Sequence, residues 1–163
     1  MEAPPNIQKV NRRDSMTDLM FTLKHVRATK AAKVGMESLG ENDWAHALEG
    51  FREAAELFEE MGLQVQLSNM LSMQGLCLFA LNELDEATDV MRRAIDLKDV
   101  PSDDKANDLL GLGEILLKKD DPECALASFE EAVAILEGTG HDQELKRAKA
   151  ASAKARKALD LRH

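Results

Sequence analysis

The sequence predicts an all-α protein built as a stack of helix-turn-helix repeats, about seven helices in a chain of 163 residues. Two observations predict it. Apolar residues recur at helical spacing along most of the chain, with short turns between the runs. A fixed frame then occurs three times: Gly35 precedes Ala47, Gly75 precedes Ala87 and Gly113 precedes Ala125, each by twelve residues. Composition agrees. Ala, Leu and eight Met fill the apolar share beside five Phe, one Trp and no Tyr, which suits closely packed helices and lacks the β-branched and aromatic enrichment of strands.

Residues 1–14, with Pro4 and Pro5 and no periodicity, read as a disordered tail, so the folded part is expected at 15–163 as a single domain. Ser15 and Asp18 form a plausible capping box, and Met16, Leu19, Met20, Leu23, Val26 and Val34 then repeat at helical spacing to about Leu39. Gly40 to Asp43 breaks that helix, with Asp43 placed to cap a second from Trp44 to Met61 that Gly62 closes. Helices of roughly 64–81 and 84–98 follow, then a turn at Val100-Pro101-Ser102, and helices of roughly 103–119 and 122–137. Pro122 is suited to a first turn behind a capping Asp121. Gly138-Thr139-Gly140 separates a last helix at about 142–160.

The frame runs beyond Gly and Ala. Four residues after each Ala stands Phe51, Met91 or Phe129, and seven after stands Ala54, Ala94 or Ala132. The strings Leu71-x₂-Gln74-Gly75-x₂-Leu78, Leu109-x₂-Leu112-Gly113-x₂-Leu116 and Ala125-x₃-Phe129 resemble the tetratricopeptide repeat, over about residues 28–138. The resemblance implies a right-handed α-solenoid with repeats at about 28–62, 68–100 and 106–138 and a capping helix at about 142–160. Small residues at Gly35, Ala47, Gly75, Ala87, Gly113 and Ala125 would let paired helices approach to about 8–10 Å. On this reading Gly75→Leu should splay the middle repeat and Gly75→Ala should cost much less. The repeat distances, 40 from Ala47 to Ala87 and 38 from Ala87 to Ala125, exceed the usual 34.

The resemblance also implies a concave groove lined by the first helix of each pair. Counted from the Gly positions, it would comprise Thr29, Ala32, Lys33, Met36 and Leu39, then Asn69, Ser72, Met73, Leu76 and Phe79, then Asn107, Leu110, Gly111, Glu114 and Leu117. Its middle is apolar and rich in Met, which adapts to irregular apolar ligands. The expected role is that of a small cytoplasmic adaptor or chaperone that binds an apolar or amphipathic segment of another protein, with Asn69 and Asn107 reaching its backbone. Alternatively, the N-terminal helix or a second subunit covers the apolar positions. The Lys and Asn clamp with which related co-chaperones grip acidic heat-shock protein tails is absent, since Ala32, Met36, Met73, Asn107 and Gly111 stand at the matching positions.

Charge narrows the partner. Residues 41–144 carry a net −18, between +3 in residues 1–40 and +6 in residues 145–163. The acidic middle would repel phosphate or an acidic peptide, so a neutral or basic protein ligand is expected, and nucleic acid or membrane is not. A scaffold that self-assembles through acidic middle and basic ends, giving a homo-oligomer, is the competing reading. The last helix, with Lys146, Arg147, Lys149, Lys154, Arg156 and Lys157, offers either an anionic-surface site or a charge complement to the chain's own body. Cys77 and Cys124 are expected as free thiols, one buried, and no run approaches the length of a membrane helix. Scattered His25, His46, His141 and His163 and the lack of any phosphate loop or nucleophile elbow argue against an enzyme, a metal or a cofactor.

Overall fold

The computed structural model describes residues 12–161, with side chains from Ser15 onward. Its regular elements are seven helices: α1 (Arg12–Gly40), α2 (Trp44–Glu60), α3 (Gln64–Ala80), α4 (Leu84–Asp96), α5 (Asp103–Lys118), α6 (Pro122–Leu136) and α7 (Asp142–Asp160). Each packs on the next in chain order, as a helical-repeat stack requires. The expected tail lies outside the described residues for 1–11. Helix α1 already runs at Arg12, so Ser15 lies inside the helix and does not cap it.

Four of the connections are one and the same turn. Each places a residue at positive φ, Asn42 (60°), Gly62 (69°), Asn82 (66°) and Asp120 (64°). In each, the next residue's N–H donates back across the helix end: Asp43 to Ser38 O, Leu63 to Phe58 O, Glu83 to Leu78 O and Asp121 to Leu116 O, all at 2.9 Å. This is the left-handed helix stop that Gly and Asn favour. The Asp43 and Asp121 carboxylates then accept from the His46 and Cys124 N–H groups and start the following helices. The α4–α5 connection differs. It is a longer loop through Pro101, ended by Ser102, whose hydroxyl caps α5 by accepting from Lys105 N at 3.2 Å.

Helix length and loop length explain the stretched repeat. From Ala47 to Ala87 the chain uses two 17-residue helices joined by tight turns, whereas from Ala87 to Ala125 a 13-residue α4 is compensated by the long loop. The core runs continuously through Phe51, Leu78, Met91, Leu110, Ile115, Phe129 and Leu136, with a second cluster around Ala28, Ala54, Phe58, Leu67 and Leu71.

The Gly frame serves close approach, through a partner other than the expected one. A Cβ on Gly35 would lie 2.8 Å from Phe51 Cε1, on Gly75 2.7 Å from Met91 Cε, and on Gly113 2.3 Å from Phe129 Cε1. The glycines therefore make room for the residue four places after each Ala, while Ala47, Ala87 and Ala125 are themselves wholly buried. Gly50, absent from the frame, marks a crossing of backbone on backbone: its Cβ would meet Ala31 O and Gly35 N, both at 2.8 Å.

Candidate functional site

Part of the expected groove lines two clefts, while Lys33, Leu76 and Leu110 line neither. Met36 of α1, Asn69 and Met73 of α3 and Asn107 of α5 line one of about 440 Å³. Phe79 of α3 and Glu114 of α5 line another of about 590 Å³, together with Leu117, Lys118, Lys154, Ala151 and Ala158. Helix α7 thus forms one wall of the second cleft. Leu76 is exposed, and so is Lys33, whose Nζ lies 3.6 Å from Glu37 of its own helix.

Leu110 corrects the expectation. It is 1% exposed and belongs to the core, so no ligand reaches it in this fold. Ser72, at the same place in the frame, is buried as well. Both lie three residues before a signature Gly, a position that α3 and α5 turn inward.

The floor of the Met36 cleft contains a charge pair invisible to periodicity. Asp108 of α5 is buried and accepts from the Ser72 hydroxyl at 2.8 Å and from Lys98 Nζ, which reaches over from the α4–α5 loop. Burial pushes the Asp108 carboxyl above its ordinary value, an effect that the Lys98 ammonium and the Ser72 hydroxyl oppose. The loop carrying Lys98 is tied down by Lys105, which donates to Lys98 O at 3.0 Å. Three Met side chains, Met36, Met70 and Met73, two exposed amides and a paired ammonium–carboxylate therefore face one opening. Such a surface can bury an apolar side chain while its amides bond a peptide backbone.

The second cleft carries a cation over an aromatic face, Lys118 Nζ at 4.8 Å from the centre of the Phe79 ring. Its α7 wall is held by ion pairs: Arg147–Glu114 at 2.8 Å, Lys149–Glu137 at 3.1 Å and Arg156–Glu130 at 2.5 Å. The basic C-terminal helix thus spends half its charge on the acidic body of its own chain. At the other end, Lys24–Glu60 and Arg27–Glu53 do the same for α1. The charge complement expected within the chain is present at both ends.

Cys77 is buried and Cys124 exposed, both as free thiols. Burial pushes the Cys77 thiol up; the Asp121 carboxylate beside it does the same for Cys124. Among the described residues no group of three or more His, Cys, Asp or Glu could hold a metal ion, and no helix is long and apolar enough to cross a membrane.

No protein-family model and no curated protein sequence matches the chain. Among solved structures the chain is similar to two crystal structures of MamA. One is 16% identical, covering 82% of this chain and 88% of that one at a TM-score of 0.41. The other is 15% identical, covering 79% and 96% at 0.39. The chain's own geometry, sequential helix pairs with a recurrent Gly contact, defines its class as an all-α stack of helix-turn-helix repeats.

Proposed function

We propose that this protein is an interaction module that holds an apolar or amphipathic segment of a partner protein against α3 and α5, as an adaptor or chaperone acts, by binding alone. The observation that supports it is the convergence of Met36, Asn69, Met73 and Asn107 on one cleft above the Lys98–Asp108 pair. Met73 rests half-buried on the core and Met36 is 53% exposed, so the apolar lining is accessible and adaptable. The net −18 of residues 41–144 favours a neutral or basic segment. The Phe79–Glu114 cleft extends the same surface toward α7. Because the groove is apolar, the complex should persist between about 50 and 500 mM salt, where screening falls to a few Å.

The test is capture of a partner from the cytosol of the native cell by the wild-type chain and by Met36→Glu combined with Met73→Glu. A double variant that keeps full helicity by circular dichroism and loses the captured protein supports the reading. Undiminished capture by such a folded variant overturns it.

A further inference from the structure

A further cleft, of about 360 Å³, adjoins the Met36 cleft at the start of α5. Val65 of α3 and Leu97 and Val100 of the α4–α5 connection give it an apolar lining, and Val65 and Val100 stand 70% and 67% exposed. Asn69, Lys98 and Asp104 line both clefts. The two are therefore one trough, and these shared residues stand at the join. Along α3 the trough follows Val65, Asn69 and Met73, each one helical turn from the next, so its apolar ends lie about 12 Å apart at 1.5 Å per residue.

The join carries unspent negative charge. Lys98 and Asp108 neutralise each other. Lys105 turns its ammonium to the Lys98 carbonyl oxygen, 3.0 Å away, and lines neither cleft. Asp99 lines the further cleft and Asp104 lines both; each is exposed, and among the described residues no cation stands within ion-pair distance of either. Even with Lys105 counted, the trough is net negative. Asp104 sits one turn before Asp108 on α5. Burial pushes the Asp108 carboxyl up, and the Asp104 charge adds to that push, so the two carboxylates face a common space.

We propose that the trough takes a segment of a partner protein in which a Lys or Arg stands between two apolar side chains. The cation meets Asp104 and Asp99 at the join, and the apolar groups fill the Met73 and Val65 ends. In an extended segment 12 Å spans about four residues, and alternate side chains share a face. The fitting pattern is therefore apolar-x-basic-x-apolar, with the Asn69 and Asn107 amides on its backbone. This rests on the partner-binding role proposed above and adds the chemistry that tells one apolar segment from another. An acidic residue at the same place would meet two like charges. The net −18 of residues 41–144 acts in the same direction.

The experiment follows amide chemical shifts of the isotope-labelled full chain during titration with three end-capped peptides to millimolar concentration. They are Leu-Ser-Lys-Ser-Leu and its counterparts with Gln or Glu in the middle. The Lys peptide should shift the amides of Val65, Asn69 and Asp104, with a dissociation constant at least about fivefold below that of the Gln peptide and about tenfold below that of the Glu peptide. Asp99→Asn combined with Asp104→Asn, at unchanged helicity, should bring the three constants together. Glu123→Gln combined with Glu131→Gln removes two exposed carboxylates of α6 that line neither cleft, and should keep the wild-type preference. Equal binding of the three peptides at the Met36 cleft overturns the cation site and leaves the apolar groove standing. No shift in either cleft with any peptide overturns the partner-binding role along with it. A preference that survives the Asp variant, or is lost equally in the Glu variant, means diffuse charge and overturns the site. Shifts of the same amides when the chain alone is concentrated would assign the trough to a second copy, and overturn it too.

Discussion

Helices α1 and α7 each close one end of the same stack, and they do so with opposite chemistry. Helix α7 buries the small side chains Ala148, Ser152 and Ala155 on the body, with Leu145 half-buried beside them, and reaches back with Arg147, Lys149 and Arg156 to three glutamates. Its outer face is polar, as a terminal repeat needs. Helix α1 is held by a close backbone crossing at Gly35 and Gly50, but beyond Lys24 it exposes apolar residues that a cap would hide. The conspicuously charged end is thus the satisfied one. The end whose composition looks ordinary is the one left open.

The largest expected effect tests how α1 is anchored. In Gly50→Ala the new Cβ meets the backbone of α1, which cannot swing aside, so the loss should reach about 3 kcal/mol or more. Gly113→Ala strikes the edge of the Phe129 ring and should cost about 2 kcal/mol. Gly75→Ala meets the terminal methyl of Met91, a flexible end, and replaces a helical Gly, so its net cost should stay below about 1 kcal/mol. Urea unfolding of the three variants measures the order. Equal costs would show that the crossings are not graded as the contacts imply.

That gradation was half legible. The twelve-residue frame pointed to close approach at Gly35, Gly75 and Gly113, because a helix tolerates Gly only where something needs the space. What occupies the space, Phe51, Met91 or Phe129, depends on how far the second helix slides along the first. Gly50 has no counterpart in the frame, for Val90 and Ser128 stand at the matching places. The breaks at Gly40–Asp43 and at Gly62 were legible, since Gly and Asn favour a left-handed residue, but the same turn at Asp120 carries no such signal. The site was less so. Leu110 and Met73 look alike in an apolar pattern, yet one is core and the other cleft. Lys98 and Asp108 lie ten residues apart across a loop, a relation that no helical period describes. The apolar spacing of Met16 to Leu23 is the same whether or not a partner covers it, so exposure there emerges only from the unequal lengths of α1 and α2.

A middle-sized effect separates packing from charge at the other end. The α7 ion pairs are half exposed, and each is worth at most about 1 kcal/mol. Arg147→Gln, Lys149→Gln and Arg156→Gln together should therefore lower stability by only about 1–2 kcal/mol. Amide exchange across 142–160 should stay protected in that triple variant. Ala155→Glu places a carboxylate where the side chain is wholly buried and should release the helix. If the triple variant released α7 and Ala155→Glu did not, charge rather than packing would hold the cap.

The smallest effect is a pH dependence beside the α1–α2 crossing. Asp43 caps α2 and its Oδ2 lies 2.7 Å from His46 Nδ1. The hydrogen bonds from the His46 backbone and ring hold the Asp43 carboxyl below its ordinary value, and the carboxylate raises the imidazole. Stability from the lowered acid is present at higher pH and lost as pH falls through its folded value; stability from the raised imidazole is present at low pH and lost as pH rises through its own. Both are present together only in the window between, about pH 4 to 6.5. The pair is fully exposed, so the thermal midpoint of wild type relative to His46→Gln should show a shallow maximum there and converge above neutral pH. The backbone cap, which needs no ring, survives that substitution. A difference that persisted undiminished at alkaline pH would show that the ring acts by packing at the α1 anchor and not by its charge.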